Sequence, residues 1–372
     1  MSQMSMHDRM LAVYHNELPD QIPLGIYIRY LPRGAAERAV RTAGFGLIDY
    51  HPVVTMPGPS WHLYPGYMSE IKGASFRIDH HWDDGQLVER RSYQTPLGDV
   101  WEEMVQDKAG VGSEHIRRHY IASKDDYRVL KYLVENSVIR SNEQTIRSKM
   151  ENLGGDGIVL GRVDRNPYQK CLIELVGPER FLVDLHTDPE PALELMEAID
   201  RQLDRSFEMI ADSKVEVIWL PDNVTSDMTP PRAYRDYCLR YYQKHTAQCK
   251  TVSKPSAVHM DGRIKALKDL VNETGIDVIE SLSLPDVGGN LTLTQARQAF
   301  PGMVIIPNFP SNWCLLNDKE LESRVSALLA EAGTTVPFML QVSEDIPASE
   351  WKRVLPVLAR IIAGDGKGHP RD

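Results

Sequence analysis

The chain has 372 residues, with 42 lysines and arginines against 52 aspartates and glutamates, a formal net charge of −10. Its 42% hydrophobic and 25% charged content is that of a globular protein, and its length suits one large α/β domain or two ordinary ones. The acidic balance argues against a nucleic-acid partner, and no run approaches the roughly 18 apolar residues of a membrane span.

Residues 4–15 read as a short helix, and Ile22–Ile28 as a first buried strand. Ala35–Ala43 is a helix followed by Gly44 and Gly46, and Leu47–Tyr50 is the next strand. From Ser75 to Met104 the pattern changes to strands around the turn pair Asp84-Gly85, an antiparallel hairpin inserted into a parallel core. Helices follow at 123–135, with Ser123 as cap, and at 141–152. Gly157–Leu160 opens a regular half, with helices at 168–175, 178–185 and 189–211, the last capped by Asp188. Next come strand 215–220, the loop PDNVTSDMTPP and helix 232–246. Tyr234, Tyr237, Tyr241 and Tyr242 on that helix have core spacing.

The stretch 256–296 is read as strand, helix, strand, polar loop, helix. Strand 256–258 stops at His259-Met260-Asp261-Gly262, and strand 276–279 stops at Glu280-Ser281. Strand 304–306 ends at Asn308, helix 318–332 follows, then strand 338–342 ending at Ser343-Glu344, and helix 349–363. The last residues, GDGKGHPRD, read as a frayed tail. Strands alternating with helices predict a parallel sheet with crossover helices. Five strand–helix units from residue 157 and about two in the first 60 residues leave one more to complete a TIM-type (β/α)8 barrel. The expected architecture is therefore α/β, a single domain over 1–372 with an N-terminal helix and the 75–104 hairpin.

In such a barrel the carboxyl ends of the strands carry the chemistry. His259, Asp261, Glu280 and Glu344 all fall at such ends and could converge on one cation. Each also has a plainer reading. His259 can be a hydrogen-bonded structural residue, Asp261 a helix cap, Glu280 the partner of an arginine, and Glu344 a helix-starting acid. Asp222, Asn223 and Asn308 are candidates to orient a substrate, with Arg162 and Asp164 near the same rim. His80 and His81 are adjacent on a strand, so at most one faces any pocket. The four cysteines, Cys171, Cys238, Cys249 and Cys314, show no CxxC spacing and read as reduced thiols of a cytoplasmic protein, with Cys314 a further possible ligand. The sequence has no GxGxxG, Walker loop or GxSxG elbow, which removes nucleotide, flavin and serine-hydrolase readings.

Several segments together resemble the uroporphyrinogen decarboxylase superfamily: HMDG after a strand, the Glu280-Ser281 loop running into PDVGGNLTL at 285–293, DNVTSDMTP at 222–230, SEDIP at 343–347 and TPLG at 95–98. The resemblance implies a TIM-type barrel and one of two chemistries. One is decarboxylation of a porphyrinogen. The other is methyl transfer between a small methylated substrate and a separate corrinoid protein, with a zinc ion. The decarboxylases carry an arginine-rich N-terminal segment, of which Arg29-Tyr30-Leu31-Pro32 resembles half, with Gly25 where the first arginine would stand. A polycarboxylate would need that cationic clamp, so the methyltransferase branch is preferred and the decarboxylase is the alternative. A third possibility is a barrel that binds a ligand without turnover. The order His259, Asp261, Glu280, Glu344 is also similar to the zinc pattern of cobalamin-independent methionine synthase, with carboxylates in place of cysteines. The resemblance further implies cobalamin on the partner protein rather than on this chain, and a possible homodimer.

Overall fold

The computed structural model describes residues 3–31, 33–64, 66–106, 114–347 and 349–365. Pro32 and the tail from residue 366 lie outside these. Within them the chain forms two compact units: one of residues 1–51, 144–162 and 214–372, the other of 52–143 and 163–213.

The first unit holds an eight-stranded parallel sheet, β1 (Leu24–Tyr27), β2 (Phe45–Pro52), β3 (Gly157–Arg162), β4 (Ile218–Leu220), β5 (Ser256–His259), β6 (Val278–Leu282), β7 (Val304–Pro307) and β8 (Leu340–Val342). Its order is β7-β6-β5-β4-β3-β2-β1-β8. The ends of this series meet through the parallel bridge Asn308↔Gln341, where Phe309 N–H donates to the Gln341 carbonyl at 2.7 Å. This is a TIM-type barrel. The six strands from residue 157 onward, each on a run the sequence reading names, make eight with β1 and β2.

Strands buried on both faces need continuous apolar runs, and β1, β4, β5, β6 and β7 are buried at every position. The barrel interior is packed with Tyr27, Ile48, Ile158, Leu160, Val217, Trp219, Ala257, Val278, Val304, Ile306 and Met339. Helix α1 (Met6–Tyr14), closed by a Ser5/Asp8 capping box, adds Met10, Val13 and Tyr14 to that core. Gly46 makes the approach possible: a Cβ there would stand 2.5 Å from Met6 Cγ and 2.6 Å from Met10 Sδ.

In the second unit the hairpin expected at 75–104 is part of a larger antiparallel sheet of four strands, Ser75–Asp83, Gln86–Thr95, Gly98–Gln106 and Glu114–Arg118, in that order. Among the described residues, strand Ser75–Asp83 is paired on one side only. Two caps differ from expectation. Asp126 reaches back to the Ala122 and Ser123 amides, the acid's half of a capping box, while the helix starts at Asp125 without a side-chain cap at its N-cap residue, Lys124. Asp188 ends helix Pro178–Thr187, and the next helix starts behind Pro189. Two segments expected as plain helix contain π-helical turns, Lys170–Leu175 and Tyr234–Cys238. No described helix is long and apolar enough to cross a membrane.

Candidate metal and active site

Glu280 is the centre of the barrel's carboxyl end. It stands in register with His259 on the neighbouring strand, and its side chain is 0% exposed. Four donors surround its two oxygens. The Tyr27 hydroxyl (2.5 Å) and the Gln341 amide donate to Oε1. Trp219 Nε1 (2.8 Å) donates to Oε2, which also pairs with His259 Nδ1 at 2.7 Å. Burial alone would raise the Glu280 carboxyl, but the facing His259 imidazole and the hydrogen bonds hold it below its ordinary value. Burial pulls His259 down and Glu280 pushes it up more strongly, with Asp261 and Glu344 adding to the push, so its pKa rises to about 9.

With Nδ1 engaged by Glu280, Nε2 is the ring nitrogen left for another partner. His259, Asp261 and Glu344 offer ligand atoms that all lie within 4.8 Å of one another. Burial raises the Glu344 carboxyl first of all, and the Asp261 and Asp345 charges add to it. The donor set of one imidazole and two carboxylates fits a divalent transition metal, since zinc accepts both ligand types. A carboxylate fixing the far nitrogen of a ligating histidine is the usual support for such a site. Three protein ligands would leave a coordination position for substrate.

Glu280, expected as a ligand, lies outside this group. Both its oxygens are already engaged by four donors, so it supports His259 from behind. Asp261, for which helix capping was the alternative, lies in the group.

The other candidates take different places. Asp222 is 0% exposed and accepts the Tyr242 hydroxyl at 2.7 Å. Asn223 follows it with φ +50°, a left-handed conformation that asparagine tolerates. Asn308 binds Ser343, the residue before Glu344. Arg162 lies over the Trp219 ring, 5.8 Å from its centroid. Cys314 is buried in the turn Ser311–Leu315, its thiol pushed up to about 11 by burial, and it is not in the cluster. Asp164 belongs to the second unit, paired with the buried Lys170 at 3.1 Å. His80 is exposed on its strand and pairs with Glu89 at 3.1 Å. Tyr234 and Tyr242 stack at 5.7 Å within the core.

Sequence reasoning missed Tyr27, Trp219 and Gln341. Each lies inside an apolar strand and looks like core. The available signal was that each carries a hydrogen-bonding group in a strand buried throughout, which obliges it to find a polar partner.

Residues 171–350 match the family model described as uroporphyrinogen decarboxylase (URO-D). No curated protein matches the chain. Among solved structures, a methyltransferase from Methanosarcina mazei is similar at 10% identity and a TM-score of 0.59, over 97% of this chain and 99% of that one. A chitinase from Chromobacterium violaceum ATCC 12472 aligns at 8% identity over 91% of this chain and 99% of its own, with a TM-score of 0.38, too low to carry an argument. At such identities the likeness speaks for the fold alone. The matched segment, just short of half the chain, is similar to the uroporphyrinogen decarboxylase family, and the structural likeness adds the barrel fold to it.

Proposed function

We propose that this chain is a methyltransferase component that takes the methyl group from a small methylated substrate and passes it to a separate corrinoid protein, with a zinc ion held by His259, Asp261 and Glu344. The observation that carries the reading is the convergence of those three ligand atoms beside a histidine whose other nitrogen is fixed by a fully engaged carboxylate. The superfamily and the methyltransferase fold support it.

A bound zinc ion would act as a Lewis acid on the heteroatom that loses its methyl group, making it a better leaving group. The chain's own residues do the rest. Glu280, held by Tyr27, Trp219 and Gln341, orients His259 and sets which ring nitrogen faces the cluster. Asp261 and Glu344 add negative charge at the ligand point. That charge offsets the metal's and suits an oxygen or nitrogen leaving atom better than a thiol. Asp222 and Asn223, at the end of β4, are proposed to orient the substrate.

Metal analysis tests the reading. Purified protein should hold one metal ion per chain, and His259→Ala should lose it together with methyl transfer to a Co(I) corrinoid. A metal-free protein with full transfer activity overturns the proposal. The second reading, a metal-free decarboxylase, is favoured by the description of the matching family model. It would release carbon dioxide from a polycarboxylate and ignore chelators. Against it stands Gly25, in the place of an arginine: a Cβ there would lie 2.7 Å from Ile48 Cδ1, in packed core rather than facing a substrate.

A further inference from the structure

Between β7 and β8, where the barrel closes, the described backbone supplies one isolated bridge. Three polar side chains stand beside it. Ser343 donates both its amide (3.1 Å) and its hydroxyl (2.8 Å) to Asn308 Oδ1. That hydroxyl therefore accepts from the Ser281 hydroxyl, 2.6 Å away. The Asn308 backbone N–H in turn donates to the Leu282 carbonyl at 3.0 Å. All three residues are at most 4% exposed.

Ser281 reaches this position through an irregular backbone. Its φ is +67°, a left-handed conformation uncommon for serine, and the β6–β7 register shifts between Glu280 and Leu282. In a regular strand, consecutive side chains face opposite sides. Here Glu280 and Ser281, adjacent in sequence, both bond to groups of β8 and the residue that follows it, namely Gln341 and Ser343. A bulge re-aims side chains in this way, and a strained conformation persists where its surroundings hold it.

We infer that Ser281, Ser343 and Asn308 form a side-chain latch that closes the barrel between β7 and β8 and positions Glu344 for metal binding. This rests on the metal reading above. The latch fixes the backbone of Ser343 from two strands, so Glu344, the next residue, leaves the barrel at a set angle toward His259 and Asp261. Asn308 is thereby a positioning residue and not one that touches substrate.

The test uses the full chain, freed of metal and titrated with Co(II), whose visible bands report coordination geometry. Ser343→Ala should weaken Co(II) binding by about 10- to 100-fold, the range for lost support of a ligand, and shift the bands. Ser343→Thr, which keeps a hydroxyl, should recover most of the affinity. Ser281→Ala, which removes only the outermost donor, gives a second and milder variant should Ser343→Ala fold poorly. It should weaken binding less and shift the bands the same way. If the wild-type chain binds Co(II) and the variants bind it with unchanged affinity and spectrum, the latch has no role in placing Glu344. If the wild-type chain binds no Co(II), the metal reading fails and this inference falls with it.

Discussion

Glu102 lies in strand 98–106, 2% exposed, its Oε1 3.1 Å from the Tyr120 hydroxyl and 3.3 Å from Arg91 Nη1. Burial pushes its carboxyl up to about 7, more than Arg91 and Tyr120 bring it down, and the Glu174 charge adds to the rise. A carboxyl raised from its unfolded value holds its proton more tightly in the folded state. Its contribution to stability is present below that unfolded value and is lost as pH rises through about 7. Between pH 5 and 8 the protein should lose on the order of 2 kcal/mol that Glu102→Gln does not lose. Thermal melts of both proteins across that range check this, and parallel profiles refute it. At this scale the sequence was uneven. His259, Asp261 and Glu344 could be singled out because each follows an apolar strand at its end, and their ligand atoms lie within 4.8 Å of one another. Glu280, singled out as a ligand, instead has its oxygens bonded to Tyr27, Gln341, Trp219 and His259. Whether a carboxylate faces a metal or a ring nitrogen depends on donors such as Tyr27, 253 positions away in the chain.

β2 and β3 come together in the barrel at a residue without a side chain. A Cβ on Gly157 would lie 1.9 Å from the Leu47 carbonyl oxygen and 2.7 Å from its carbon, both backbone atoms that cannot rotate away. Gly157→Ala should therefore cost at least about 3 kcal/mol, among the larger effects of single substitutions. Urea denaturation measures it, and a loss under about 1 kcal/mol would mean that the two strands separate easily. Elements with strong periodicity were readable: helix Asp318–Ala332 runs over the residues where the sequence reading places it. What the pattern could not reveal were local irregularities. The π-helical turn at Lys170–Leu175 leaves the apolar spacing of a helix nearly intact. The bulge at Ser281 is set by Ser343, a partner 62 residues away. The cap at Ser123 was half legible, since Asp126 reaches back to the Ala122 and Ser123 amides but the helix starts two residues later, at Asp125.

The unit that holds the barrel is assembled from three separate stretches of chain, and the other unit from two. The family match at 171–350 spans β4 to β8 and omits β1, β2 and β3. It therefore omits Tyr27 and the strands that flank β4 and β8. A fragment of residues 171–350 should show no cooperative unfolding transition, whereas the full chain should; a sharp melt from the fragment would contradict this. The alternation of strands and helices made the barrel legible from sequence, but the division into two units was not, because no linker marks it.

Strand Ser75–Asp83 has a further consequence at this scale. Along its outer flank, alternate residues of the nine turn backbone groups outward with no ladder partner among the described residues, and Ile78 and Trp82 are exposed among Arg77, Asp79 and Asp83. Such a flank can template the backbone of another chain. The interspersed charges keep the surface soluble while it stays single, so crowding, heating or loss of those charges should make this strand the seed from which the protein clumps.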